Sequence, residues 1–261
     1  MNFLLICVIV IIIILLLLFT FRYALKDNTI LSDVREANVP FTISKINLMK
    51  SSSSSQVSTN FTYSVWIYVK DWNYNYGYYK PIFGRNDSPN DVITDIDALD
   101  NDNSTMKPCP FVCLDKTENK VWFIMYYREP TGSKISYFKC DVSNIPIQKW
   151  IQLTFSIYNK TLDIYLNGKL AKTCVMPQIT TVSEEAGDIY VCGLSGISNT
   201  GSKPGFSGYI SKLQYYPNAM NPQEVWNIYS EGYGGLASSL SDYKLQFSLI
   251  ENGNVVNTMS I

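Results

Sequence analysis

Between residues 91 and 103 the chain reads DVITDIDALDNDN, which places Asp91, Asp95, Asp97, Asp100 and Asp102 in one stretch. Calcium takes six to eight oxygen ligands, and clustered carboxylates supply them. Asp95, Asp97 and Asp100 are therefore the candidate ligands, and calcium is the one cofactor the sequence raises. The spacing lacks the Asp-x-Asp-x-Asp-Gly of an EF-hand, and the stretch has no Gly. A long acidic surface insertion is the favoured reading of residues 86–108. A second group is DWNYNYGYY, residues 71–79, with Trp72, Tyr74, Tyr76, Tyr78 and Tyr79 in a loop. Exposed aromatics of this density can form a recognition surface, and Trp72, Tyr74 and Tyr76 are the candidate contacts. Sugars stack on such rings, and a protein partner would suit them equally. The competing reading packs the rings over the edge of the fold.

Catalytic chemistry has little to work with. The chain contains no His, which removes Ser-His-Asp and Cys-His catalysis and every His-ligated metal site. Hydrolysis of a glycosidic bond needs two carboxylates flanking it. Glu184 and Glu185 are adjacent, so on a strand they point to opposite faces. A solvated loop explains them better, and the chain is not expected to be an enzyme. The Gly-rich stretch 193–208 lacks the Gly-Lys-Ser/Thr ending of a phosphate loop and leads into no helix. A net charge of −1 offers nothing to a polyanion, so no nucleic-acid partner is expected.

The cysteines form the last group. Cys7 lies in an apolar run and reads as a small apolar residue. Cys109, Cys113, Cys140, Cys174 and Cys192 follow it. Their odd number leaves at least one free or paired between chains. Cys109 and Cys113, in CPFVC, are too irregularly spaced for a zinc knuckle.

These groups must be held by a scaffold. Phe3 to Phe21 is a run of 19 uncharged residues, which as a helix spans roughly 30 Å, about one hydrocarbon core. It has no basic n-region and no Ala-x-Ala-like site, so it reads as an uncleaved transmembrane helix in the lipid bilayer. Arg22 and Lys26 on its C-terminal side place the large domain in the cytosol by the positive-inside rule. The cysteines, and the Asn-x-Ser/Thr sequons at Asn60, Asn86, Asn103 and Asn159, suggest an oxidising, glycosylating compartment instead.

Beyond the run, strand patterns recur. Phe61, Tyr63, Val65, Ile67 and Val69 alternate on one face, as do Ile151, Leu153, Phe155 and Ile157. FTISKINL, KPIFGR, FVCLDKTENKVWFIMYY, KISYFKCDV, DIYVCGL and GYISKLQYY supply further strands. One helix is predicted over 221–232, with Asn221 as N-cap, Pro222 at its first position, Glu224 closing a capping box and Gly232 ending it. YKLQFSLIENGNVV reads as a terminal hairpin around Asn252-Gly253. About ten short strands and almost no helix predict an all-β antiparallel sandwich.

FTYSVWIYVKDW, KPIFGR, KWIQLTFSIYNKTLDIYLNGKLAKTCVMP and GFSGYISKLQYYPNAMNPQEVWNIY, in this order, resemble the laminin-G/concanavalin A-like jelly-roll superfamily. The resemblance covers about residues 60–232. It divides the chain into a transmembrane helix (3–21), a juxtamembrane segment with a first strand (22–58), a jelly roll (59–232) and a C-terminal extension with a hairpin (233–261). It is specific for fold and unspecific for function, because the fold hosts lectins, adhesion modules and glycosidases alike. The superfamily's glycosidases carry Glu-x-Asp-x-x-Glu on one strand, a motif absent here. Its members often hold calcium on a rim loop.

An N-terminal anchor followed by DWNY, IPIQKW, LDIYLNGK, KTCVMP and PNAMNPQE is similar to proteins encoded by large double-stranded DNA viruses. That similarity implies a single-pass virion membrane protein, at an inner membrane or associated with the capsid. Its jelly roll would make structural contacts with other virion or capsid proteins, as a minor capsid protein or a capsid-to-membrane link. The alternative is a glycan-binding attachment lectin on the virion or cell surface. The viral branch also places a Cys before IPIQKW and another after NGK, which makes Cys140 and Cys174 the disulfide pair. Many such viruses are thought to carry their own thiol oxidase, so a bridge could form on the cytosolic side.

One hairpin gives a sharper expectation. Asn167-Gly168 between alternating segments predicts a type I′ turn. The register then sets Leu166 opposite Lys169, Tyr165 opposite Leu170, Ile164 opposite Ala171 and Asp163 opposite Lys172. Asp163 and Lys172 would form a cross-strand ion pair, and Cys174 would face outward. A bridge at Cys174 is thus expected on the outer face or edge of its sheet, and not between the two sheets.

Overall fold

The structure is a computed structural model. It describes residues 12–13, 16, 29–48, 57–87, 106–130, 134–180, 182–183, 186–193, 203–234, 246–251 and 254–260. The transmembrane helix expected at 3–21 falls outside these residues except for Ile12, Ile13 and Leu16. The candidate calcium ligands Asp95, Asp97 and Asp100 also lie outside the described residues, as do Glu184 and Glu185. No helix among the described residues is long and apolar enough to cross a membrane.

The strands are β1 (Arg35–Glu36), β2 (Phe41–Ile43), β3 (Val57–Ser58), β4 (Phe61–Asp71), β5 (Lys80–Asn86), β6 (Pro108–Leu114), β7 (Lys120–Arg128), β8 (Ile135–Ser143), β9 (Trp150–Tyr158), β10 (Thr161–Leu166), β11 (Lys169–Val175), β12 (Val182–Ser183), β13 (Ile189–Val191), β14 (Ser207–Tyr216), β15 (Gln246–Glu251) and β16 (Asn254–Ser260). One helix, α1 (Pro222–Ser230), lies between β14 and β15. Two six-stranded antiparallel sheets make a sandwich, in the orders β1-β14-β4-β9-β10-β11 and β2-β13-β5-β6-β7-β8. β3 pairs with β12, and β15 with β16, as predicted for the C-terminal hairpin.

The alternation in β4 and β9 builds the core. Phe61 faces Ile157, Tyr63 faces Phe155, Val65 faces Leu153 and Ile67 faces Ile151, all inward and almost fully buried. Burying each such side chain contributes roughly 1.5–3 kcal/mol. The second sheet answers with Phe83 and Phe123, whose ring centroids lie 6.4 and 5.4 Å from that of Phe155. Residues 29–43 join both sheets: Ile30 bridges to Gln214, β1 pairs with β14, and β2 pairs with β13. The FTISKINL strand stops at Ile43, and Lys45–Asn47 turn into a 3-10 helix whose N-cap is Ser44.

Helix α1 forms as its sequence dictates. Asn221 Oδ1 accepts from the N–H groups of Gln223 (2.9 Å) and Glu224 (3.0 Å), and Glu224 Oε2 accepts from Asn221 N–H (2.8 Å). The chain around it lies across the outer face of the first sheet. Thr62 Oγ1 donates to Asn218 O (2.9 Å), Met220 N–H donates to Ser156 Oγ (2.8 Å), and Ser211 Oγ donates to Tyr233 O (2.6 Å). Thr62, Ser64, Thr154 and Tyr165 are buried here although they point away from the core. Hydrogen bonding is what makes a polar layer tolerable in such a place.

The hairpin corrects one expectation. Asn167 (φ 52°) and Gly168 (φ 73°) form the left-handed turn, and Leu166–Lys169 and Tyr165–Leu170 pair as expected. A register shift then intervenes, so Ile164 faces Lys172, Asp163 faces Thr173 and Leu162 faces Cys174. One extra residue in β11 flips every later side chain to the other face. Cys174 therefore shares the inward side of Leu162 and bonds to Cys140 of β8. The predicted pair is correct and sits at the sandwich edge, but it joins the two sheets instead of lying on an outer face. The Asp163–Lys172 pair is replaced as well. Asp163 accepts from Thr173 Oγ1 (2.5 Å), and Lys172 Nζ reaches Asp141 Oδ1 (2.8 Å) on β8.

Candidate functional site

The loop between β4 and β5 is well tied down. Asp71 Oδ1 accepts from Asn73 N–H (2.9 Å), and left-handed Asn75 and Gly77 turn the chain. Asn75 holds the backbone of Lys203 from both sides, at 2.8 and 3.0 Å. Tyr74 Oη donates to Pro204 O (3.1 Å), and Lys203 Nζ stands 5.4 Å from its ring centroid. Trp72 packs half-buried against the core with Lys80 Nζ 5.0 Å from its ring. That ammonium also donates to Asp115 O (3.2 Å). Burial pushes the Tyr74 phenol up and the Lys80 ammonium down, with Asp115 opposing the latter. Of the three aromatics singled out in the sequence, Trp72 and Tyr74 are thus engaged in packing. Tyr76 is 59 % exposed and, with Tyr78, presents its ring to solvent.

A larger aromatic surface lies on the outer face of the first sheet. Trp66 and Tyr68 fall between the inward residues of β4, so they point out. Trp150 of β9 and Tyr209 of β14 sit opposite Tyr68 on either side. Tyr68 lies 5.8 Å from Trp150 and 6.1 Å from Tyr209, ring centroid to ring centroid. Trp150 stacks on Tyr233 at 4.4 Å with planes 11° apart. Trp66 lies 6.1 Å from Tyr233 and stacks on Tyr229 at 5.5 Å. Trp226 ends the row, 5.4 Å from Tyr229. Tyr209 is 39 % exposed and Trp226 42 %, whereas Trp66 is 5 % exposed.

Two glycines let this row form. At Gly168 a Cβ would stand 2.9 Å from Trp226 Cε3 and 3.0 Å from Tyr229 Cβ, so α1 rests directly on the hairpin turn. At Gly208 a Cβ would stand 1.8 Å from Tyr68 O. Aromatic pairs of this spacing contribute about 0.5–1.5 kcal/mol each beyond their buried area. The inner rings, Trp66 and Trp150, thus fasten α1 and residues 231–234 to the sheet. The outer rings offer flat apolar surface beside polar edges, which suits stacking against the C–H face of a sugar or against another protein's side chains. The sequence signal for this row was the second phase of β4, where Trp66 and Tyr68 occupy positions that a solvent-facing strand fills with polar residues.

Among the described residues no group of three or more His, Cys, Asp or Glu could hold a metal ion. Cys109, Cys113 and Cys192 are buried and unbridged. Burial pushes the thiols of Cys113 and Cys192 far up, which suppresses the thiolate and with it reactivity. Cys113 packs with Phe111 and Ile124 on the outer side of the second sheet, and Cys109 and Cys192 pack in the main core.

Residues 46–226 match a laminin G family model, that of the concanavalin A-like lectin/glucanases superfamily. No curated protein matches this chain. Solved structures similar to it include the receptor binding domain of botulinum neurotoxin D, with 12 % identity and a TM-score of 0.48. The binding domain of botulinum neurotoxin serotype G has 17 % identity and a TM-score of 0.45. The heptameric SAP-like pentraxin from Limulus polyphemus has 14 % identity and a TM-score of 0.43. The matches cover 73, 76 and 80 % of this chain, and 41, 46 and 80 % of those chains respectively. The chain thus spans less than half the length of the toxin binding domains it matches. With the family match covering more than half of its residues and two antiparallel sheets packed face to face, the chain belongs to the concanavalin A-like lectin/glucanases superfamily.

Proposed function

We propose that this chain is a non-enzymatic binding module, tethered to a membrane by residues 3–21, that recognises glycans through the aromatic row on its first sheet. The observation that carries this reading is the row itself. Tyr209, Tyr68, Trp150, Tyr233, Tyr229 and Trp226 keep their rings on the solvent side of a sheet whose core is already filled by Phe61, Tyr63 and Phe155. Tyr76, exposed on the β4–β5 loop, is a second contact point. The absence of His and of Glu-x-Asp-x-x-Glu supports binding without hydrolysis. A glycan array probed with the full chain in detergent tests the reading. Binding should occur and should fall when Trp226 and Tyr209 are changed to Ala. Hydrolysis of any polysaccharide would overturn the non-enzymatic assignment.

A structural role in a virion, as a minor capsid protein or a capsid-to-membrane link, is the second reading. It draws on the resemblance of the anchor and the jelly-roll segments to viral proteins. One surface favours it: the edge strand β11 exposes Leu170 (54 %) and Val175 (72 %) at the open end of the first sheet. Such an edge offers backbone and apolar groups to a protein partner. Fractionation of virions with protease protection would place the protein and its topology together. Absence from the virion would overturn this reading.

A further inference from the structure

A cavity of about 360 Å³ opens at the end of the sandwich away from the Trp72 loop, between β7 and the segment that follows β11. Its volume falls in the usual range for small-ligand sites, roughly 300–1,000 Å³. Tyr126, Tyr127, Arg128, Lys160, Gln178 and Ile179 line it. The walls are stapled together. Asn159, left-handed at φ 54°, makes the tight turn from β9 to β10, and Asn60 Oδ1 accepts its N–H at 2.8 Å. Lys160 O accepts from Met176 N–H (2.7 Å), which holds residues 176–180 beside the turn. Lys160 Nζ donates to Pro177 O (3.0 Å), which aims the ammonium along the rim and leaves it further hydrogens to donate.

The lining is cationic and carries no carboxylate. The nearby acids are occupied: Asp87 accepts from Tyr126 Oη (2.6 Å), and Glu129 accepts from Ser136 Oγ (2.7 Å). The Arg128 guanidinium has no hydrogen bond or ion pair among the described residues, and it can meet a carboxylate with two parallel hydrogen bonds. Beside the cations stand the Tyr127 ring and the half-exposed Ile179 side chain, an apolar wall, and the Gln178 amide, a donor and acceptor for hydroxyls. A small inorganic anion would use the cations and leave that wall bare. A neutral sugar would use the wall and leave the cations unpaired.

We infer that this cavity is a second saccharide site that takes a carboxylate-bearing sugar, with the carboxylate on Arg128 and Lys160 and the ring against Tyr127 and Ile179. The inference rests on the glycan-binding reading above and adds a substrate class to it. The test uses the full chain in detergent micelles on an array of sialylated, uronate-terminated and neutral glycans, at low and high salt. Carboxylated glycans should bind roughly tenfold more tightly than their neutral counterparts, the difference should shrink at high salt, and Arg128→Gln and Lys160→Gln should each reduce it. Arg128 is exposed, so the variant should retain the wild-type melting curve. Neutral glycans bound as tightly as acidic ones, with no effect of Arg128→Gln, would overturn this inference and leave the aromatic-row reading standing. Binding to no glycan at all would overturn both.

Discussion

Cys140 and Cys174 tie the last strand of one sheet to the last strand of the other, with their Cα atoms 6.4 Å apart. Lys172 and Asp141, two and one positions away along the same strands, add an ion pair across the seam. The open edge of the sandwich is thus fastened at one point. The bridge closes a loop of 34 residues in sequence separation, which stabilises by about 3–4 kcal/mol through the entropy it removes from the unfolded chain. Cys174→Ser should lower the urea midpoint of the full chain accordingly. A reductant should do the same to the wild type and nothing further to the variant. An unchanged midpoint in the variant would count against the bridge.

Acid should unfasten the same region. Hydrogen bonding and charge from Lys172 hold the Asp141 carboxyl below its ordinary value of 3.8. Burial works to raise Asp115, yet the N–H groups of Glu118 and Thr117 and the Trp122 indole outweigh it and hold that carboxyl low as well. Carboxyls depressed in the folded state contribute stability that is full above the unfolded-state value and is lost as pH falls through the folded-state values. Melting temperature should therefore be insensitive to these groups above about pH 5 and should fall below about pH 4. Asp115→Asn should flatten that acid limb. An identical limb in the variant would show that other groups cause it.

Much of this was legible in the chain. Strands β4 and β9 alternate so cleanly that their inward faces follow from periodicity, and Asn221-Pro222 with Glu224 announces α1 because the Asn221 and Glu224 side chains satisfy backbone donors at the helix start and Pro222 brings no donor there. Local rules reach that far. The shift beyond the Tyr165–Leu170 pair, where β11 gains a residue, was hidden, because the turn fixes register only until an extra residue enters, and nothing in GKLAKTC marks it. The aromatic row was hidden for a different reason. Trp66 and Trp226 are far apart in sequence, and their kinship depends on the chain folding back across the first sheet after β14. Strands of two or three residues, such as β1 and β2, are too short to carry a pattern at all.

Gly168 tests whether that fold-back is held by the turn. Its φ of 73° already disfavours a side chain, and the added Cβ would press on Trp226 and Tyr229. Gly168→Ala should cost about 1–3 kcal/mol and should shift tryptophan fluorescence as α1 lifts. Gly77 is the control. Its φ is 85°, but nothing lies within 4 Å of the added Cβ, so the same change there should carry the backbone cost alone. Equal losses at the two positions would mean that α1 does not rest on the hairpin.

The two ends of the aromatic row should respond differently to truncation. Trp66 is 5 % exposed beneath Tyr229 and Tyr233, so Trp66→Ala opens a void in packed surroundings. Such changes typically cost about 3–5 kcal/mol, and the melting temperature should drop steeply. Trp226 is 42 % exposed and touches the row through Tyr229 alone. Trp226→Ala should therefore leave most of the stability in place while glycan binding falls by roughly tenfold, the loss of one well-placed contact. Urea melts and array titrations on the same two variants separate the roles. Binding that survives Trp226→Ala, in a protein that melts like the wild type, would reduce the row to a clamp for α1.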